Sequence, residues 1–251
     1  MPSPRSKTML IDTHFHLDFI TDLDKRALFV RESTQLGVQV VAQTVLPSHF
    51  ARDIDLYTPG GPLEGAVPSL GFHPWWIDGW ERELDIFAEM VGRTRHIGEI
   101  GLDFSPRRLE TVPQHVQVAV LRRVLDTVSD AAASTSEPYV LSIHAVRSAS
   151  AVLDLLEGCP ALPVFHWFSG TSDELTRLIR MGGAISVNPR MLETKRGRAY
   201  AKQVPADRLY LETDLGAITA KEHYEVLAQL DGDLRLLRGM SNFGLGSHPL
   251  Q

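Results

Sequence analysis

Hydrophobic residues along this chain alternate between two rhythms. Short, nearly continuous apolar runs occur at "MLIDTH" (9–14), "VQVVAQTVL" (38–46), "GAVPSLGFH" (65–73) and "RHIGEIGLDF" (95–104). They recur at "YVLSIHA" (139–145), "LPVFHWFSG" (162–170), "GAISVNP" (183–189) and "RLYLETDLG" (208–216). Runs of this length between turn residues predict buried strands. Between them apolar positions follow helical spacing, as in "ELDIFAEMVGRT" and "HVQVAVLRRVLDTVSDAAA". The segment "TSDELTRLIRMGG" has a capping residue, early acids and a closing glycine, the marks of a helix with both ends defined. Strands alternating with helices predict parallel βα units. Eight such units in 251 residues match an α/β fold of the single (β/α)8 TIM-barrel type. A doubly wound open sheet is the alternative, but no G-x-G-x-x-G follows any strand run.

No low-complexity linker or repeat divides the chain, so one domain is expected over residues 9–251. The opening "MPSPRSKT" (1–8) lacks the apolar core of a signal peptide and reads as a disordered leader. Hydrophobic residues make up 43% of the chain, ample for a large core. A single cysteine, Cys159, excludes an intrachain disulfide. With no apolar run of membrane-spanning length, a cytoplasmic protein is expected, and a monomer is compatible with the composition. The net charge of −6 argues against a surface that grips long duplex DNA through many phosphates. Nucleic acid stays possible as a substrate if positive charge is local, for instance on bound metal ions.

Barrel enzymes build their active sites at the C-terminal ends of the strands. There the runs place His14 and His16, His73, Glu99 with Asp103, His144, His166, and Glu212 with Asp214. Residues i and i+2 of a strand share a face, so His14 and His16 are expected to point together with Asp12 below them. Alone, an H-x-H pair is more often two solvated polar residues than half a metal site. Imidazoles and carboxylates from several strand ends converging on one mouth make a far stronger case for metal ligation. His96 is expected to point opposite to Glu99, while His49, His115, His223 and His248 fall in helical or loop segments and read as structural or surface residues.

The stretches "IDTHFHLDF", "SLGFHPWW", "IGEIGLDF", "LSIHA", "FHWFSG" and "LETDLGA" resemble, in order and character, the TatD family of metal-dependent deoxyribonucleases. The resemblance runs from about residue 9 to 217 and implies an amidohydrolase-like TIM barrel with two divalent metals (Mg²⁺, Mn²⁺ or Zn²⁺). Carried over by position, His14, His16 and Asp214 hold one metal, His144 and His166 the other, and Glu99 bridges them. Relatives bridged by a carbamylated lysine need a lysine on the fourth strand, where this chain has Glu99. Three features depart from the family pattern. "HAVRSA" sets Arg147 one place late for a phosphate contact, "ISVNPRML" matches only a subset, and "RGMSNFGLGSHPLQ" looks shortened as a last helix.

Two metals about 3.5–4 Å apart can clamp a phosphodiester and lower the pKa of a water that attacks in line. The expected activity is therefore metal-dependent hydrolysis at DNA ends, single-stranded or frayed, with Glu99, Asp214 and His73 as catalytic residues. Ester or amide hydrolysis on the same site, such as aminoacyl-tRNA deacylation, is the enzymatic alternative, and a non-catalytic regulatory barrel the third reading. His73 reads as a substrate-phosphate contact, against a loop-anchoring role. Glu212, Asp12 and Asp103 read as residues orienting the ligands. Trp75, Trp76 and Trp80 fit either base stacking or, better, packing of their loop onto the barrel.

Overall fold

The computed structural model describes residues 9–77 and 79–240. The expected leader, His248 and the shortened C-terminal motif lie outside the described residues. Eight strands follow in chain order: β1 (Leu10–Phe15), β2 (Val38–Ala42), β3 (Val67–Phe72), β4 (His96–Asp103), β5 (Val140–Val146), β6 (Leu162–His166), β7 (Ala184–Val187) and β8 (Leu209–Leu211). Each pairs in parallel with the next, in sequence order. The seam between β8 and β1 is held by Asp214 N donating to His14 O at 3.0 Å, His16 N to Leu215 O at 2.8 Å and Thr13 Oγ1 to Leu211 O at 2.9 Å. The chain is therefore the α/β TIM barrel that its apolar rhythm predicts.

Around the barrel lie α1 (Leu23–Leu36), α2 (Pro47–Asp53), α3 (Trp80–Met90), α4 (Pro106–Leu109), α5 (Gln114–Ala132), α6 (Ala149–Leu155), α7 (Ser172–Arg180), α8 (Pro189–Glu193), α9 (Lys195–Gln203) and α10 (Ala220–Arg238). The marked helix of the sequence is α7, where Thr171 and Glu174 form a capping box; Thr219 and Glu222 do the same for α10. No helix of the described residues is long and apolar enough to cross a membrane.

Inside the barrel the side chains form layers. Val140, Val164, Ala184 and Tyr210 fill the lower end as an apolar cluster. Above them a small void is lined by polar groups including Thr13, Gln43, Ser69, His96 and Ser142. The imidazoles and carboxylates occupy the mouth.

Three expectations need correction. Several strands stop short of their apolar runs, β2 at Ala42 and β8 at Leu211, because the chain turns into the mouth before the polarity pattern ends. Asp12 does not lie below His14 and His16. A register shift after Asp12 breaks the alternation, and the fully buried carboxylate accepts hydrogen bonds from His223, Thr213 and the His14 N–H instead. His96 does not point away from the barrel axis either. A register shift between Ile97 and Ile100 lets both His96, in the polar void, and Glu99, in the mouth, face inward. Burial pushes the His96 imidazole down to about 4.

Candidate metal centre

Glu99 stands at the middle of the mouth, 3% exposed, because the chain around it comes unusually close. A side chain on Gly71 would overlap Thr44 O and crowd Glu99 N, so only glycine lets the end of β3 pass there. The two oxygens of Glu99 face different partners. Oε2 lies 3.3 Å from both His14 Nε2 and His16 Nε2. Oε1 lies 2.7 Å from His144 Nδ1, 2.9 Å from His166 Nε2 and 3.2 Å from His73 Nε2. Asp214 closes the first side, with Oδ1 3.8 Å from His14 Nε2 and 3.5 Å from His16 Nε2. It follows β8 in a left-handed conformation, φ 54°, unusual for a non-glycine residue and pinned here by its N–H bond to His14 O.

Three sets of donor atoms approach within 4.8 Å of one another: His14, His16 and Asp214; His14, Glu99 and His166; and His73, Glu99 and His144. All seven residues expected from the sequence thus meet in one cluster. The far nitrogens of the rings tell which imidazoles can offer a lone pair to a cation. His14 Nδ1 lies 2.7 Å from Ser142 Oγ, His144 Nε2 lies 3.3 Å from Asp103 Oδ2, and His166 Nδ1 faces Glu212 Oε1 at 3.8 Å. Ser142 and Asp103 thus give the outer nitrogens of His14 and His144 a hydrogen-bond partner, the Glu212 carboxylate stands beside the outer nitrogen of His166, and a neutral ring so held can turn its inner nitrogen to a cation. His73 is the reverse case. Its Nδ1 accepts the Trp75 backbone N–H at 3.0 Å, so a neutral ring keeps its proton on Nε2, the atom facing Glu99. His73 is a donor into the site, not a lone-pair ligand.

The supporting groups are themselves held. Glu212, fully buried, accepts from Ser186 Oγ, Asn188 Nδ2 and the Trp167 N–H. Asp103 accepts from the Trp75 indole at 2.7 Å and the Ser105 N–H. Trp75 therefore braces the site, and Trp80 opens α3 half-buried against the core, so two of the three tryptophans pack their loop. Trp76 is 49% exposed. His223, read from the sequence as structural, is fully buried on α10 against Asp12. His49 is half-buried on α2 and His115 exposed on α5. Arg147 is exposed.

Burial would raise the Glu99 carboxyl, but the imidazoles of His73, His166 and His14 outweigh it and hold the group well below the usual carboxylate range. Asp214 is likewise held low against its burial, first by His16. The imidazoles mirror this. Burial lowers His16, yet hydrogen bonds to Asp214 and Glu99 carry it up to about 10. Against burial, Glu99 and Glu212 hold His166 well above the ordinary value. For His73, burial prevails and brings the ring down to about 4, which keeps it neutral.

The donor set fits divalent cations. Clustered imidazole lone pairs and two ionised carboxylates form a mixed N/O environment suited to Zn²⁺, Mn²⁺ or Mg²⁺. The inner nitrogens of His14 and His16 lie 3.3 Å apart, two basic atoms that a shared cation would satisfy together. Sequence reasoning overlooked Ser142, Ser186 and Asn188, because a lone serine or asparagine in a strand carries no signal of the histidine it serves.

Residues 11–226 match the family model described as TatD related DNase. A 3'-5' ssDNA/RNA exonuclease TatD from Dickeya dadantii is 33% identical over 155 residues, 58% of this chain and 55% of that protein. That match thus spans just over half the relative's length. The human deoxyribonuclease TATDN3 is 28% identical over 227 residues, covering 83% of this chain and 78% of that protein. Among solved structures, YJJV, a TatD homologue from Escherichia coli, superposes with a TM-score of 0.70 at 20% identity, over 91% of this chain and 94% of that one. A TatD family hydrolase from Entamoeba histolytica superposes with a TM-score of 0.72 at 18% identity, over 95% and 94%.

Proposed function

The chain belongs to the TatD related DNase family, and from that premise we propose that it is a two-metal phosphodiesterase that trims DNA from free ends. The observation that carries this reading is the division of Glu99 between two sets of imidazoles, Oε2 toward His14 and His16 and Oε1 toward His144 and His166. A carboxylate so placed suits the bridge between two cations. His14, His16 and Asp214 would hold one, and His144 and His166 the other. Divalent ions held there would supply Lewis acidity toward the phosphodiester and help ionise the attacking water.

The protein's own groups do the rest. Ser142 and Asp103 orient the rings of His14 and His144 by hydrogen bonds to their outer nitrogens, and the Glu212 carboxylate stands beside the outer nitrogen of His166. Asp214, 25% exposed and anionic, is placed to accept the proton of the attacking water on its carboxylate. His73 Nε2–H is placed to donate to a phosphate oxygen, stabilising charge as it develops. With a net charge of −6 and a concave mouth, a free strand end fits better than the side of a duplex. On this reading residues 9–251 carry the chemistry as one catalytic domain. The ester/amide and non-catalytic readings are not favoured, since the relatives carry nuclease names and the ligand set is whole.

The test is digestion of end-labelled single strands, linear duplex and closed circular DNA, with chelator and after adding back metal. Trimming of ends that stops with chelator is expected. Equal rates on linear and circular DNA would reject the preference for ends, and hydrolysis indifferent to chelator would reject metal chemistry.

A further inference from the structure

Beside the metal centre lies a second recess of about 630 Å³. Phe19, Val45 and Trp76 line both this recess and the opening above His16, His73 and Glu99, so the two are continuous. The volume is within the range of small-molecule sites, about 300–1,000 Å³.

Two features distinguish it from a chance surface dent. The first is aromatic. Trp76 is 49% and Phe19 52% exposed. One face of Phe19 stacks on the His16 ring, with centroids 4.5 Å apart and planes 7° from parallel, which orients the ring at the opening. The second feature is polar. Arg26 and Asp18 also line the recess, each with a side chain only 9% exposed. Among the described residues, Arg26 Nε and Asp18 Oδ1 are buried without a hydrogen-bond partner. A buried donor and a buried acceptor left unmade are costly, so their presence at one opening points to a ligand that satisfies both.

The charges say what kind. Asp53 takes Arg26 Nη1 at 2.8 Å and Arg52 Nη2 at 2.7 Å. Two guanidiniums thus stand against two carboxylates, Asp53 and Asp18, and the His49 ring lies 3.8 Å from the other oxygen of Asp18, so the recess carries no strong surplus of positive charge for a phosphate. A neutral flat ring whose edge carries both an N–H and an acceptor matches better, and a nucleobase is such a ring. We propose that this recess seats the base of the nucleotide adjoining the scissile phosphate, stacked on Trp76 and Phe19, with its polar edge toward Asp18 Oδ1 and Arg26 Nε. The assignment rests on the phosphodiesterase reading and gives that site a means of holding the strand in register.

Single-stranded oligonucleotides with one abasic position on either side of the terminal bond test it, with wild type, Trp76→Ala and Trp76→Phe as enzymes. Wild type should lose about tenfold or more in kcat/KM when the seated base is removed, the scale of one stacked base. Trp76→Ala should lose a similar factor on the intact strand and nothing further on the abasic one, while Trp76→Phe restores most of the rate. Independently of turnover, nucleoside monophosphates should quench tryptophan fluorescence in chelator, ribose phosphate should not, and Trp76→Phe should abolish most of the quench. Cleavage at equal rates on intact and abasic strands would overturn the base recess while leaving the phosphodiesterase reading intact. If no oligonucleotide is cleaved, the phosphodiesterase reading falls, and the quench alone then decides whether a base binds: its absence rejects the recess as well.

Discussion

The backbone N–H of Trp75 donates to Nδ1 of His73 at 3.0 Å, and this bond gives His73 a different role from its neighbours. With Nδ1 occupied as acceptor, the neutral ring presents N–H at Nε2, 3.2 Å from Glu99 Oε1. His14 and His144, whose outer nitrogens are partnered by Ser142 and Asp103, present lone pairs inward when neutral. One cluster therefore contains both ligands and a hydrogen-bond donor, separated by tautomer rather than by position.

His73→Ala should accordingly retain its full metal content while losing turnover. Removing one donor aimed at developing charge costs about 10²–10³ in rate in well-studied cases. Elemental analysis beside steady-state kinetics checks this, and loss of an ion from His73→Ala would make the residue a ligand after all.

Glu99→Gln should behave in the opposite way. The substitution removes the charge shared between the two imidazole sets, so occupancy of at least one ion should fall and hydrolysis drop by several orders of magnitude. Asp214→Asn should weaken mainly the ion held with His14 and His16. A Glu99→Gln protein with two tightly bound ions and wild-type turnover would displace the centre of the site elsewhere.

Metal affinity should rise with pH. In the metal-free protein His16 is raised to about 10, and His166 also lies above its ordinary value, so both are protonated at neutral pH. Only the neutral ring ligates, so each cation must expel protons, whereas Glu99 and Asp214 are already ionised and release none. Apparent affinity should increase by up to about tenfold per pH unit for each proton displaced, from near neutrality toward pH 10. Without metal the sign reverses. The stability that protonated His16 contributes is complete below its unfolded value, about 6.5, and is lost as pH rises toward 10. Calorimetric titrations in buffers of different ionisation enthalpy would measure the proton release, and a pH-independent affinity would contradict it.

The barrel and the seven residues at its mouth were readable from the chain because each signal was local. An apolar run marks a strand, and an imidazole or carboxylate at its end marks the C-terminal face. What was not readable depends on breaks in alternation or on distant partners. Asp12 and His96 turned to unexpected faces because register shifts in β1 and β4 reset the period of two, and nothing in "IDTHF" or "RHIGEIG" announces an extra residue. The orientation of the His14 ring depends on Ser142, 128 positions away. Trp76 could not be separated from Trp75 and Trp80 by sequence, since only packing decides which ring remains exposed.

Asp12 offers the last test, because it couples the architecture to the site without entering it. Its carboxylate accepts the N–H groups of His14 and Thr213, the Thr213 hydroxyl and His223 Nε2, so it ties the ends of β1 and β8 to α10 across the barrel seam. All of this is buried, and His223 packs against the stacked rings of Phe15 and Phe29, with centroids 4.8 and 5.4 Å away. Asp12→Ala would strand buried donors at a cost of about 1–3 kcal/mol for each one left unsatisfied. One such donor corresponds to a fall in Tm of roughly 2–12 °C for a barrel of this size. Since the His14 and Asp214 backbones meet at the same seam, metal affinity should weaken as well, although no ligand is touched. Asp12→Asn keeps the shape but turns one acceptor into a donor, so it should recover only part of the loss. Thermal melts with and without metal, read beside metal titrations, check both halves. An Asp12→Ala protein with unchanged Tm and unchanged affinity would show that the seam is held by the backbone ladder alone.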